Sequence, residues 1–269
     1  MKKRWLTLIL VVVALSLPIA PTRAIAQVAG TEAVIRSIIA AINTGDIDAA
    51  LTLVAEDAVI TLLPPPPGTK GVFIGKDEIR GWWQSYVAGN GHTEFNDFHV
   101  FGNRAVWTAG VEDDLFTSLG IGTLTFDGVG VTQDGLLKSY TWNMSKESQT
   151  RLGAALALES KKEVMRRFYD EIWTAGNMAT IDEIIHPAFI DHFSGRNGVE
   201  EFKQTITLFK TAFPDFSATY TDMVAEGDIV VTRITFTGTY QGGLQEIFGV
   251  PDSAIERNYP HRRRLCTHC

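Results

Sequence analysis

The sequence predicts an α+β protein built from two similar domains in tandem. A pattern of helices followed by strands runs through residues 31–144 and begins again near residue 160. The chain has 269 residues, which suits two domains at about 100–200 residues each. Helices grouped ahead of a run of strands are typical of α+β folds. Each domain is therefore expected to be a cone, with helices packed on a curved antiparallel sheet around an apolar interior.

The first copy is expected to occupy residues 28–145. Apolar residues at helical spacing over 31–55 break at NTGD, residues 43–46, where glycine favours a helix end. Asp134-Gly135 is a strong signal for a two-residue hairpin turn. In chain order the predicted elements are the helix pair 31–55, a short strand at 58–60, a helix at 75–83, a turn into a strand at 102–106, and strands at 122–131 and 136–144.

The second copy, expected at residues 158–251, repeats this order. Its helix pair spans 160–186 and breaks at AGN, residues 175–177. Residues 145–156 between the copies are interpreted as a linker whose end joins the next helix. The elements predicted to follow the helix pair are a short strand at 188–190, a helix beginning at 198–202, and a turn into a strand at 227–231.

The N-terminus has the layout of a secretory signal peptide. Three basic residues at positions 2–4 precede the mostly apolar run 6–17, and AIA at 24–26 supplies small residues for cleavage. The apolar run is shorter than the roughly 20 residues of a membrane-spanning helix, so a retained N-terminal anchor is the lesser alternative. We expect a secreted or periplasmic protein after cleavage near Ala26.

Composition narrows the classes of partner. Residues 1–26 hold four of the 24 basic residues and no acid, so the mature chain has 20 basic against 31 acidic residues, a formal charge of −11. Such a charge repels phosphate backbones and argues against nucleic acid. The only cysteines are Cys266 and Cys269, which make a C-x-x-C motif that lacks the second ligand pair of a structural zinc site. No phosphate loop or metalloprotease motif occurs, so we expect neither a cofactor nor a metal.

Short sequence words in the second copy occur in the order of a known family. They are FY at 168–169 with Trp173 and Gly176, FIDH at 189–192, AFPDF at 212–216, AEGD at 225–228, GTY at 238–240 and FGVP at 248–251. This set resembles the SnoaL-like polyketide cyclases of the nuclear transport factor 2-like (NTF2-like) superfamily. The first copy resembles the broader SnoaL-like group through residues 43–46, 75–83 and 134–135.

The resemblance implies two NTF2-like cones, each with a pocket at its wide end. It implies a small apolar carbonyl compound as substrate or ligand, and metal-free acid–base chemistry if the protein is a lyase, isomerase or cyclase. Many relatives have no shown activity, so a non-catalytic binding module of the cell envelope is the alternative. A purely structural domain would instead have a filled cone without a pocket. The resemblance also implies an intrachain pseudo-dimer or a homodimer through the sheet face.

The chain departs from this family in two places. The cyclases carry a catalytic Asp on the last strand, some ten residues after an Asp-Gly turn, whereas this position is Ser145 here and the nearby Asn143 is not a base either. After Pro251 the family continues with two more strands, but residues 252–269 are basic and lack alternation. We therefore hypothesise a frameshift or truncation that leaves the second cone without its last strands and makes 252–269 an atypical tail.

His192 and Asp215 are the candidate catalytic residues. Imidazole titrates near neutral pH, and strand alternation allows only one of Asp191 and His192 to face the pocket, so His192 is predicted to lie inside. A satisfied structural histidine is an equal alternative. Asp215 follows Phe213-Pro214 at a turn, where a carboxylate that accepts backbone N–H groups is the favoured interpretation.

Large aromatic residues are the candidate ligand-binding residues. They are Trp83, Trp107, Tyr140 and Trp142 in the first copy and Phe168 and Tyr240 in the second. Large aromatics more often fill a core than line a ligand site, and in a partly hollow cone one residue can do both. The acidic residues 112–114 are interpreted as a solvated loop, with one carboxylate at the cone mouth as the alternative.

Overall fold

The computed structural model describes residues 30–192 and 194–243, together with the backbone of residues 264–268. The predicted signal peptide lies outside these residues, as do the FGVP motif and most of the tail. Across the part of the chain that is described, no helix is long and apolar enough to cross a membrane.

The first domain contains the predicted helix pair, third helix and hairpin, and adds elements that the sequence pattern did not reveal. The hairpin strand 136–144 was predicted to the residue, whereas the short helix α4 and the strands β2 and β3 were not predicted. The elements are α1 (Thr31–Asn43), α2 (Ile47–Thr52), β1 (Val54–Leu63), β2 (Val72–Ile74), α3 (Gly75–Ala88), β3 (His92–Phe101), β4 (Arg104–Glu112), α4 (Asp114–Ser118), β5 (Leu124–Gln133) and β6 (Leu136–Met144).

These six strands form one sheet in the order β2-β1-β6-β5-β4-β3. Neighbouring strands are antiparallel except for β1 and β6, which run parallel, so the prediction of a wholly antiparallel sheet was wrong for this pair. No hairpin joins the two strands, because the chain leaves β1 through α3 and returns by way of β3, β4 and β5. Only a hairpin forces antiparallel pairing, and a long crossover permits the parallel arrangement.

Helix α1 closes the concave face of this sheet. Its apolar stripe, Val34, Ile35, Ile38, Ile39 and Ile42, is buried. Hydrogen bonds fix both ends of the helix: the Thr31 hydroxyl donates to the Gly102 carbonyl over 3.0 Å, and the Asn43 side-chain amide exchanges two hydrogen bonds with the Thr93 backbone, at 2.8 and 3.0 Å. The helix is therefore tied to both ends of the β3–β4 hairpin.

The interior of the cone is built around Trp107, whose indole lies flat along β5. A Cβ atom at Gly128 would come within 1.9 Å of the indole nitrogen, and one at Gly130 within 3.0 Å of the six-membered ring. The ring of Phe98 stacks on the other face, with centroids 5.6 Å apart and planes 7° apart. Glycine in a strand interior often marks such a close approach, and here two glycines make the space that one indole fills.

The second domain follows the predicted order of helix, break, helix and strands. At the breaks of the two copies Gly45 has φ +79° and Gly176 has φ +72°, in the left-handed region. The strand predicted at 188–190 is only two residues long and begins at Ile190. The elements are α5 (Lys146–Arg167), a π-helical segment (Phe168–Thr174), α6 (Met178–Ile184), β7 (Ile190–Asp191), β8 (Arg196–Asn197), α7 (Val199–Ala212), β9 (Ser217–Glu226), β10 (Ile229–Thr239) and β11 (Arg264–His268).

The segment interpreted as a linker is the first half of the long helix α5. Ser145 caps this helix by accepting from the Ser148 amide, and the Ser148 hydroxyl in turn accepts from the Thr125 amide of β5 over 2.8 Å. At the other end of α5, Lys161 forms an ion pair of 2.7 Å with Asp228 in the β9–β10 turn. One continuous helix thus contacts both domains, and Asp228 has the structural role expected of a turn residue.

The second sheet has three strands in the order β11-β10-β9. Strand β11 comes from the tail and pairs antiparallel with Thr235–Thr239 of β10, so this part of the tail covers one edge of β10. The described part of the second sheet is half as wide as the first sheet. Truncation of the second copy remains a prediction, which resequencing of the gene around the Pro251 codon would test.

We predict that Gly128→Ala lowers the free energy of unfolding of the first domain by about 3 kcal/mol or more, because the new methyl group would overlap the Trp107 indole. The measurement is urea denaturation followed by tryptophan fluorescence. Gly153→Ala is the matched control: Gly153 lies in α5 with open space around its Cβ position, so alanine should stabilise the helix by about 0.5–1 kcal/mol. Equal effects of the two variants would contradict this account of the cone interior.

Candidate functional site

A narrow void inside the first cone is the candidate site. Its walls are Ile35, Ile38, Ile39, Trp107, Leu137, Tyr140 and Trp142. No water-sized sphere fits between these walls. Helix α1 contributes the three isoleucines, and strands β4 and β6 contribute the rest. An occupant must therefore displace the isoleucine side chains or shift α1 away from the sheet.

The four aromatic residues predicted in the first copy form one buried cluster. The Trp83 indole N–H donates to the Tyr140 hydroxyl over 3.0 Å. Ring centroids of Tyr140 and Trp142 lie 6.1 Å apart, and those of Trp142 and Trp107 lie 5.4 Å apart, in edge-to-face contacts. Three of the four, Trp107, Tyr140 and Trp142, line the void, and Trp83 supports Tyr140 from α3. The structure therefore brings together every candidate of this copy.

The polar groups of this cluster are neutral hydrogen-bond donors. Burial raises the pKa of the Tyr140 phenol well above its usual range, and the hydrogen bond from Trp83 only partly opposes this shift. Burial likewise raises the pKa of Tyr86 to about 12. Both phenols stay protonated at physiological pH, because desolvation penalises the phenolate. They can hold a ligand oxygen, but neither is poised to take a proton from carbon.

Trp107 has a buried donor without a partner. The side chain is 4% exposed, and among the described residues its indole nitrogen and the Thr232 hydroxyl are the buried side-chain polar atoms that lack a hydrogen bond. A buried donor left unpaired costs about 1–3 kcal/mol. The sequence identified Trp107 as a candidate, but only the structure shows that its N–H is unpaired.

The residues at the position where the resemblance implies a catalytic aspartate are not bases. Asn143 is exposed near the end of β6, and Ser145 is used as the cap of α5. Among the acidic residues 112–114, Asp113 is half-buried, and burial raises the pKa of its carboxyl despite the hydrogen bond from Phe116. Its carboxylate caps α4, since it accepts from the Phe116 amide over 2.7 Å. The solvated-loop interpretation was therefore wrong for Asp113, which is a helix cap.

The two aromatic candidates of the second domain lie in separate parts of its core. Phe168, at the start of the π-helical segment, stacks on Phe202 of α7 with centroids 5.8 Å apart. Tyr240 follows β10 and packs on Phe213 with centroids 5.3 Å apart. Both are half-buried. Neither therefore lies in an aromatic cluster around a void like that of the first domain.

His192 is exposed, so the prediction that it faces the interior was wrong. Asp191 is the buried member of the pair, at 7% exposure, and accepts a hydrogen bond from the Ser194 hydroxyl. The strand ends at Asp191 and the chain turns at once into the hairpin with Arg196. Alternation correctly predicted that the two residues face different ways. Residue type favoured His192 as the inward-facing one, because aspartate is less often buried than histidine.

The contacts of Asp215 support its interpretation as a turn carboxylate that accepts a backbone N–H group. Its carboxylate oxygens accept from the Thr239 backbone amide at 2.5 Å and from the Thr239 hydroxyl at 2.7 Å. The side chain is exposed and holds the end of β10 against the turn after α7. Nearby, burial lowers the pKa of Lys210 while Asp215 opposes the shift, and the Lys210 ammonium donates to the Phe216 carbonyl over 3.0 Å.

A surface groove of about 510 Å³ lies where α6 approaches the start of α7. Its walls are Asp182, Ile185, Pro187, Asn197, Gly198, Val199, Glu200 and Glu201. Lys203 forms ion pairs with Asp182 at 2.6 Å and with Glu200 at 3.1 Å, so part of the acidic charge of the groove is compensated. The groove contains none of the predicted site residues.

Comparison with protein families confirms the resemblance in both copies. Residues 163–253 match the family model described as SnoaL-like polyketide cyclase, and residues 35–136 match the model described as SnoaL-like domain. No match was found among curated proteins.

Similar solved structures come from several bacteria. An NTF2-like protein of unknown function from Burkholderia pseudomallei is 20% identical, covers 46% of this chain and 97% of its own, and gives a TM-score of 0.39. An NTF2-like protein of unknown function from Cytophaga hutchinsonii is 13% identical. The match covers 45% of this chain and 94% of the Cytophaga protein, with a TM-score of 0.36. A candidate polyketide cyclase from Sinorhizobium meliloti is 22% identical, with 41% and 93% covered and a TM-score of 0.35.

We predict that Asp215 acts on stability rather than on chemistry. Asp215→Ala should lower the free energy of unfolding of the second domain by about 1.5–3 kcal/mol, since a charged acceptor of two hydrogen bonds is lost. Trp173 is the one tryptophan in residues 158–251, so its resolved ¹⁹F NMR signal in the chain labelled with 5-fluorotryptophan reports this transition under urea denaturation. Asp222→Ala is the control, because its exposed ion pair with Arg233 should contribute about 0–1 kcal/mol. A cost at Asp215 no larger than at Asp222 would count against the structural role.

Proposed function

Because the chain carries two SnoaL-like domains in tandem, we propose that it binds a small, mostly apolar carbonyl compound in the first cone and holds it without converting it. The supporting observation is the chemistry of the void. Its seven lining residues are aliphatic or aromatic, and they include no carboxylate and no imidazole. Because no water-sized sphere fits in the void, a ligand must open it on binding, and an interior that stays filled would instead favour a purely structural domain.

The lining favours binding over catalysis. Proton abstraction next to a carbonyl needs a base whose pKa lies near the working pH. The ionisable group in the lining is Tyr140, whose phenol pKa is raised by burial, so it remains a donor. Asn143 and Ser145 occupy the region where the cyclases place their aspartate, and neither side chain is a base.

A cyclase-type or isomerase-type enzyme is the second candidate, and the burial of Asp191 supports it. A carboxylate that is 7% exposed and bonded to the Ser194 hydroxyl lies within the FIDH motif of the second copy. In that case Asp191, rather than His192 or Asp215, would be the general base of metal-free chemistry. A homodimer or pseudo-dimer through the sheet face belongs to the same proposal.

The test of binding uses cyclohexanone and two matched truncations. The wild-type chain should bind this ketone, and Ile38→Ala should bind it more tightly, because the void then opens without displacement of α1. Both Ile38→Ala and the control Ile206→Ala, in the second core, should lose about 2–5 kcal/mol of stability, since each side chain is 1% exposed. Only the first should change affinity, measured by calorimetry. An equal change in affinity in the two variants would show that the ketone does not bind in the void.

The same ketone tests catalysis. If the protein only binds it, exchange of the α-hydrogens for deuterium, followed by NMR, should not exceed the rate in buffer. Exchange that is faster with the protein and lost in Asp191→Asn would favour the enzyme.

Export is a further part of the proposal, supported by the layout of residues 1–26. The full chain expressed in a bacterium should appear in the periplasm or medium with an N-terminus near Gln27. The measurement is mass spectrometry of the fractionated protein. An intact N-terminus in the membrane fraction would instead indicate a retained anchor.

A further inference from the structure

The beginning of helix α5 is anchored to the first domain. The Ser148 hydroxyl accepts from the Thr125 amide of β5 over 2.8 Å. The Arg151 guanidinium donates to the Ile121 carbonyl over 2.5 Å and to the Thr123 carbonyl over 3.3 Å, in the segment that joins α4 to β5. The first two turns of α5 are therefore held by the first domain.

The end of the same helix is anchored to the second domain. The Lys161 ammonium pairs with the Asp228 carboxylate at 2.7 Å and also donates to the Gly227 carbonyl in the β9–β10 turn. Beyond this point the helix passes into the π-helical segment, whose Ile172 and Trp173 are buried in the second core. The last turns of α5 are therefore held by the second domain.

The stretch between these anchors, residues 153–157, has no comparable support. Its sequence is GAALA, so its side chains carry no group that forms a hydrogen bond or an ion pair. Four of its five residues are exposed, and Leu156 is 42% exposed. A Cβ atom at Gly153 would meet nothing within 4 Å, so no close neighbour requires glycine there. The stretch therefore depends almost entirely on the backbone hydrogen bonds of the helix.

A helical stretch of this kind opens more readily than the packed turns on either side. Most helices in proteins owe their stability to the packing of one face, and isolated helices shorter than about 12–15 residues are marginal in water. Glycine weakens the helix further, because it loses more backbone freedom than alanine when the helix forms. Exposed backbone bonds with few buried apolar contacts are the first to open in a native protein.

We propose that residues 153–157 are a hinge, at which α5 opens locally and the two domains change their relative orientation. Five helical residues span only about 7.5 Å, but a single opened turn is enough to redirect the chain that follows. Relative motion is the usual behaviour of two domains that lack a large apolar interface. The inference does not depend on the proposed binding function, since it concerns the connection and not the void.

The first test is amide hydrogen exchange along α5 in the full-length wild-type chain, measured by NMR and corrected for intrinsic rates. Amides of residues 154–160 should exchange at least about tenfold faster than those of residues 163–167, equivalent to a difference of about 1.4 kcal/mol in opening free energy. Equal protection along the whole helix would overturn the hinge. This test needs no variant, so its outcome does not depend on how a substitution affects folding.

The second test removes the glycine. Gly153→Ala should slow exchange at residues 154–160 about two- to fivefold, because alanine is the better helix former. Gly81→Ala is the matched control, since Gly81 is an exposed glycine inside α3 whose Cβ position is also open. It should leave exchange in α5 unchanged. An equal effect of the two variants on residues 154–160, or no effect of Gly153→Ala, would contradict the inference.

The third test measures the motion itself, by pulsed electron paramagnetic resonance between two spin labels. The labels are attached at Gln133→Cys in β5 and Thr221→Cys in β9, which are exposed positions, with Cys266 and Cys269 replaced by serine. The distance distribution should be broad, and Gly153→Ala should narrow it. A single narrow distribution that Gly153→Ala does not change would show that the domains are held rigidly, and the hinge would be wrong.

Discussion

The close contact between the Trp107 indole and the backbone of β5 determines how the first domain is filled. Because Gly128 and Gly130 have no side chains, the ring lies flat on the strand, with Phe98 stacked on its other face and Trp142 at its edge. The remaining space between this layer and the isoleucines of α1 is a narrow apolar void. The shape of the candidate site, its lack of charge and its unpaired donor all follow from this one packing arrangement.

Helix α5 joins the two domains. Its first turn is bonded to β5 through Ser148, and Lys161 near its far end is bonded to the β9–β10 turn. The helix continues into the π-helical segment, which carries Phe168 and Trp173 of the second core. π-Helical turns are rare and often mark functional positions. Here the segment contributes aromatic side chains to the second core at the point where the connection between the domains ends.

The candidate residues show what a sequence pattern can and cannot predict about a site. The aromatic cluster of the first cone was predictable, because alternation places Tyr140 and Trp142 on one face of β6. Asp191 was missed, since its burial depends on where a two-residue strand ends and a hairpin begins. The parallel pairing of β1 with β6 was also missed, because it joins strands that are distant in the chain and carries no turn signal.

The sequence by itself determined the order of helices and strands, the helix breaks at Gly45 and Gly176, the Asp134-Gly135 hairpin and the resemblance to SnoaL-like domains, because each depends on local periodicity or a short motif. Only the tertiary structure decided which polar groups have partners. It pairs Asp215 with Thr239, exposes His192, buries Asp191 and leaves the Trp107 N–H without an acceptor. Hydrogen-bond partners across a fold are tens of residues apart in the chain, and their distances arise only when helices and sheet pack together.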